Sequence, residues 1–184
     1  MYNVGEIIVI IVDESLSMMK TDFKPRRIDV LRESLKPFVR SLLEREIHTL
    51  VGLVGFYKIA YPITYPVDNT EPLMEALDTI RIKGEASASG DAVNLASLIL
   101  FSTSPPGYNK RMILITDDTS NAGIPLSLMS TPLKTSGIKV DVVGLGRLAR
   151  NAREDLEALA SSSNGVFIKV DRKEDLLPSL YKLL

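Results

Sequence analysis

Residues 5–20 read GEIIVIIVDESLSMMK. Every side chain from Ile7 to Val12 is apolar, and the run then breaks into Asp13, Ser15 and Ser17. A strand with one face in water alternates apolar and polar residues; an unbroken apolar run needs cover on both faces, as in a parallel sheet flanked by helices. That pattern recurs. Further β-branched runs lie at 48–57 (HTLVGLVGFY), 111–116 (RMILIT), 138–145 (IKVDVVGL) and 165–170 (GVFIKV). Four of the five are too continuous for a half-exposed sheet.

The intervening segments have helical spacing. Residues 26–46 place Ile28, Leu31, Leu35, Phe38, Val39 and Leu42 on one side, with Pro37 expected to kink or interrupt the helix. Further helices are expected at 71–82, 90–102, 125–135, 153–162 and 173–183. Asn164-Gly165 reads as a helix stop, and Asp171 as a cap for the terminal helix. The segment 58–67, KIAYPITYPV, carries two prolines that cannot donate to a ladder, so its strand belongs at a sheet edge, in a hairpin with 48–57. Strand and helix alternate throughout, which predicts one three-layer α/β domain over residues 1–184: a mainly parallel sheet, one antiparallel edge strand, and helices on both faces.

Composition narrows the function. A net charge of -1 offers no cationic field for nucleic acid. The basic clusters Lys24, Arg26, Arg27 and Arg147, Arg150, Arg153 read as solvated helix faces. The chain has no cysteine, which excludes thiolate metal sites and a cysteine nucleophile and fits a reducing compartment. No apolar run reaches the roughly 18 to 20 residues that span a bilayer. A cytoplasmic protein with no membrane partner is expected.

In open α/β sheets ligands settle at the carboxyl ends of the strands, where adjacent crossovers diverge. Asp13, Ser15 and Ser17 follow the first run there, and Asp117 and Asp118 follow the run at 111–116. The loop KGEASASGDA at 83–92 supplies Ser87 and Ser89 before a helix start. Carboxylate and hydroxyl oxygens without His or Cys suit a hard divalent cation such as Mg²⁺ or Mn²⁺, which takes six oxygens.

The sequence DESLS also matches the D-x-S-x-S motif of the von Willebrand factor type A (vWA) domain family, whose metal-ion-dependent adhesion site draws on three loops. Asp13, Ser15 and Ser17 resemble the first loop, Ser87 in S-A-S-G the threonine of the second, and Asp117 in LITDD the aspartate of the third. Ser87 keeps the hydroxyl but lacks the threonine methyl, and Asp118 stands where the family commonly has Gly. The resemblance extends through GLVGFY, VVGLG and LEALASSSNGVFIKV. It implies a Rossmann-like vWA fold and a Mg²⁺ or Mn²⁺ site whose coordination is completed by an acidic side chain of a protein partner. Intracellular relatives often act with AAA+ ATPases or in multiprotein assemblies, which is the partner class implied here. Glu14, Leu16, Met18, Met19, Phe23 and the 85–89 loop are candidate partner contacts, and the last helix, with Leu176, Leu177, Leu180 and Leu183, is the element that moves in some relatives.

Other readings compete. Asp13, Ser15 and Ser17 taken alone describe a polar turn; Asp91 and Asp118 read as caps. The G-x-G-x-x-A at 144–149 follows a strand, but it comes late in the chain and no acidic residue ends a following strand at the expected distance to hold a ribose, so its glycines make a tight loop. His48 reads as structural or exposed, and Tyr57, Tyr61 and Tyr65 as hairpin packing. A Mg²⁺-dependent phosphoryl-transfer enzyme would use Asp13 as nucleophile, yet a dehalogenase-type site wants an acid where Ser15 stands, a receiver-type site has another order of acids, and no P-loop occurs. A scaffold with a degenerate metal site is the third alternative. The sequence therefore predicts a binding module with no catalytic residue.

Overall fold

The computed structural model describes residues 5–184. Six strands form one sheet in the order β3-β2-β1-β4-β5-β6. They are β1 (Gly5–Asp13), β2 (His48–Phe56), β3 (Ala60–Val67), β4 (Tyr108–Thr116), β5 (Lys139–Leu145) and β6 (Phe167–Val170). All neighbouring pairs are parallel except β2 and β3, the hairpin at the edge. The proline-bearing strand is thus confined to the border, as its missing donors require.

Among the described residues six α-helices cover the sheet: α1 (Arg27–Leu43), α2 (Thr70–Asp78), α3 (Ser89–Thr103), α4 (Ser130–Ser136), α5 (Arg150–Ser162) and α6 (Leu176–Tyr181). β1 explains the layering. Its Ile8, Ile10 and Val12 enter one apolar cluster with Leu31, Leu35 and Phe38 of α1 and Leu176 and Leu180 of α6. Its Ile7, Val9 and Ile11 enter the other, with Val93 and Ala96 of α3 and Leu156 of α5. All six β1 side chains are fully buried, each contributing roughly 1.5–3 kcal/mol from removal of apolar area from water.

Some local expectations are corrected. Pro37 lies inside α1 without ending it; Phe38, Val39 and Leu42 beyond it are buried, and that packing holds the helix together across the lost backbone donor. Asp171 caps no helix: its carboxylate pairs with Lys169 Nζ, and the terminal segment starts as a 3-10 turn at Lys173. Asp91 lies in the first turn of α3 and accepts from the Ile124 backbone N–H at 2.9 Å, so it pins another loop instead of capping its own helix. The stop after α5 is as expected, with Asn164 in the left-handed region and the Gly165 N–H returning to the Ala160 carbonyl. Among the described residues no helix is long and apolar enough to cross a membrane.

Candidate metal centre

The chain leaves β1 and crosses to β2 on one side; β4 lies on β1's other side. A crevice therefore opens at the carboxyl ends of β1 and β4, the topological switch point. Asp13 ends β1 and Thr116 ends β4, which sets Asp117 across from the first loop.

Four of the five expected residues form one hydrogen-bonded chain. The Ser15 backbone N–H donates to Asp13 Oδ1 at 2.9 Å. The Ser15 and Ser17 hydroxyls are 2.9 Å apart, and Ser17 Oγ donates to Asp117 Oδ1 at 2.5 Å. Ser15 is extended and is followed by a 3-10 turn, Leu16–Met19, that carries Ser17. Thr116, missed in the sequence, donates its hydroxyl to Asp13 Oδ2 at 2.6 Å and accepts from the Asp118 N–H at 3.2 Å. Asp118 itself accepts from the Thr119 N–H, a turn role in keeping with its reading as a cap.

Ser87 differs from the other four. Its loop is tied to the first by the Leu16 N–H donating to the Gly84 carbonyl at 2.7 Å, and to the third by the Ser87 N–H donating to Asn121 Oδ1 at 2.7 Å. Its hydroxyl, however, is buried with no hydrogen-bond partner among the described residues. A buried unpaired hydroxyl is destabilising by about 1–3 kcal/mol and marks a missing partner. The set of two carboxylates and three hydroxyls, with one hydroxyl unsatisfied, fits a hard cation. Among the described residues no group of three or more His, Cys, Asp or Glu that could hold a metal assembles.

Charge around the set is tightly managed. Burial pushes the Asp13 carboxyl up to about 6; the hydrogen bonds from Ser15 and Thr116 oppose this and nearby Asp117 adds to it. Arg27, read from the sequence as part of a solvated face, is instead 2% exposed. Its Nη1 donates to Asp117 Oδ2 at 2.5 Å, its Nε donates to Asp22 Oδ1 at 2.8 Å, and Nη2 pairs with Asp22 Oδ2. The hydrogen bond from Arg27 holds the Asp22 carboxyl below the usual carboxylate range. The only signal for this in the sequence was Asp22 five residues upstream, a spacing too common to single out. Lys24, Arg26, Arg147, Arg150 and Arg153 are exposed as expected.

Several expected partner contacts are buried and must be corrected. Glu14, Met18 and Phe23 have no exposed surface, whereas Leu16 and Met19 are 44% and 42% exposed. Met18 and Phe23 fill the apolar cluster under α1. Glu14 turns inward, accepting from the Tyr61 hydroxyl and from the Arg81 N–H at 3.1 Å, with Lys83 Nζ 3.3 Å away. In the second loop Glu85 is exposed but Ser87, Ala88 and Ser89 are buried. His48 is exposed and bonded to Tyr108 and Asp68, away from this crevice.

The sequence pattern of the von Willebrand factor type A domain matches residues 8–182. The chain belongs to the vWA domain family. Such domains typically mediate protein–protein interaction. This vWA domain is 26% identical to a UPF0353 protein of Nocardia farcinica over 92% of its own length, and spans 59% of that relative. Its fold is similar to that of BatB from Bacteroides thetaiotaomicron, with a TM-score of 0.78, 21% identity and coverage of 97% of this chain and 98% of the other. A mussel byssus matrix protein whose adhesion-site motif is occupied by zinc superposes with a TM-score of 0.78 at 22% identity, over 98% of this vWA domain and 47% of the mussel chain.

Proposed function

We propose that this vWA domain is a divalent-cation-dependent protein-binding module whose metal is held by Asp13, Ser15, Ser17, Ser87 and Asp117. The observation that carries the reading is the Ser87 hydroxyl, buried without a partner in a loop tethered to both other loops of the motif. A bound cation would satisfy such an atom.

Mg²⁺ or Mn²⁺ is the expected ion, because every oxygen is hard and neither His nor Cys is among the five. When bound, the ion supplies a Lewis-acidic position that accepts a carboxylate from a partner. Asp13, Ser15, Ser17, Ser87 and Asp117 would hold it, three of them through neutral hydroxyls. Leu16 and Met19, exposed beside the motif, give the rim an apolar surface, and Met19 adapts to different partner shapes. The partner is a protein presenting an acidic side chain, with an AAA+ ATPase or another cytoplasmic multiprotein assembly as the class favoured by the family resemblance.

Phosphoryl transfer through Asp13 is the weaker reading. Asp13 is fully buried, which leaves a bulky phosphoryl group no approach to its carboxylate, whereas a bare ion is small enough to be held among the surrounding oxygens. Isothermal titration with Mg²⁺, Mn²⁺ and Zn²⁺, the last because zinc occupies the mussel protein's motif, tests the site. Binding of at least one ion that is lost in Ser87→Ala and Asp13→Ala is expected. Pull-down from native lysate with Mg²⁺ or with EDTA then tests the partner, and capture insensitive to EDTA would favour a scaffold with a degenerate site.

A further inference from the structure

We propose that Arg27 sets the charge of the metal site: its fixed guanidinium cancels one of the two motif carboxylates, lowering affinity for the ion and preserving the ion's attraction for an acid. The inference rests on the metal-binding reading above.

Arg27 is locked in place. It is the first residue of α1 and its side chain is 2% exposed. Three of its nitrogens are committed, Nη1 to Asp117 and Nε and Nη2 to Asp22. Its Cζ lies 5.9 Å from the centroid of the Phe23 ring. Gly146, with φ of 67°, leaves the space the guanidinium needs, since a Cβ there would overlap Arg27 Nη2. The G-x-G-x-x-A stretch thus finds a role as the loop that admits this arginine.

The consequence for Asp117 is specific. Its Oδ2 is taken by Arg27, with Lys20 Nζ 3.6 Å away, and only Oδ1, already accepting from Ser17, points into the motif. Asp13 and Asp117 contribute two negative charges and Arg27 one positive, so a divalent ion would leave the buried group with a surplus of one positive charge. Without Arg27 the same group would be neutral and would have little to offer an incoming carboxylate. Asp22 shares the guanidinium, but its side chain is 43% exposed, so water screens part of its charge and it offsets Arg27 only in part. An arginine is suited to this task because it stays charged and forks across two carboxylates.

The test uses Mn²⁺ alone, with free ion read by electron paramagnetic resonance, on the wild type, Arg27→Gln, Arg27→Lys and Asp22→Asn. Removing a fixed positive charge close to a divalent ion should tighten Mn²⁺ binding in R27Q by roughly tenfold. R27K, which keeps the charge but not the fork, should stay within about threefold of the wild type. D22N leaves the whole guanidinium charge facing Asp117 and should weaken Mn²⁺ binding a few-fold even if R27Q fails to fold. A purely structural Arg27 would make R27Q and R27K lose affinity together, and that result, or D22N binding unchanged or tighter, overturns the proposal while leaving the metal site intact. A wild type that binds no Mn²⁺ overturns both.

Discussion

Ser17 and Asp117, one hundred positions apart, share a 2.5 Å hydrogen bond from hydroxyl to carboxylate. That contact closes the first loop onto the third and leaves Ser87 as the one motif hydroxyl without a protein partner.

Ser87→Ala should separate stability from binding. Removing a buried unpaired hydroxyl should raise the metal-free protein's stability by about 1 kcal/mol, seen as a higher urea midpoint in EDTA, while Mg²⁺ or Mn²⁺ affinity falls by at least tenfold. If the variant is less stable in EDTA, the hydroxyl has a partner after all.

Asp13 makes metal-free stability fall with pH. Its folded pKa, raised from 3.8 to about 6 by burial, exceeds the unfolded value, so the folded state binds the extra proton between those pH values. This group's penalty is absent below pH 3.8, grows as pH rises, and is fully present above about 6, where it amounts to roughly 3 kcal/mol. Asp13→Asn should flatten that slope in EDTA and be the more stable protein at pH 7. Divalent-ion affinity of the wild type should instead climb through the same window, because the ion needs the carboxylate. Chemical denaturation across pH 4–7, with and without Mg²⁺, checks both signs.

Lys83→Met should leave the Glu14 carboxylate buried with one cation fewer, destabilising the protein by about 3 kcal/mol. The double variant Glu14→Gln with Lys83→Met should recover a large part of that loss, since the uncompensated charge is gone. A double-mutant cycle by thermal unfolding measures the coupling; near-zero coupling would mean the pair acts independently.

Gly90→Ala should be severe although alanine favours helices. A Cβ at Gly90 would drive into the backbone carbonyl of Ile124, which has no side-chain freedom to yield. A loss of about 2–3 kcal/mol is expected, together with weaker metal binding because the Ser87 loop feeds directly into this helix. An unchanged melting temperature would show that the 120–125 loop moves aside easily.

Much of this was legible in one dimension. The apolar runs announced β1, β2, β4 and β5, and two prolines announced the edge position of β3. Asp13, Ser15, Ser17 and Asp117 could be picked out because they follow strand ends, where side chains become available; Ser87 was singled out by the resemblance to the family motif. Arg27, Thr116 and Asn121 were not legible. Arg27 looked like any basic residue at a helix start, and its burial depends on Asp22, Asp117 and Gly146 meeting from three separate places. Glu14 and Met18 were misjudged for the converse reason: flanking a motif in sequence says nothing about which neighbours point inward once the turn tightens.

Local order along the chain was enough to establish a two-sided sheet and the chemistry of its oxygens, because strand period and burial on both faces are short-range properties. Only folding decided which charges stand beside those oxygens and which hydroxyl goes unpaired. Those outcomes depend on groups brought together from distant segments, and a buried electrostatic environment is a sum over neighbours in space, which no local pattern encodes.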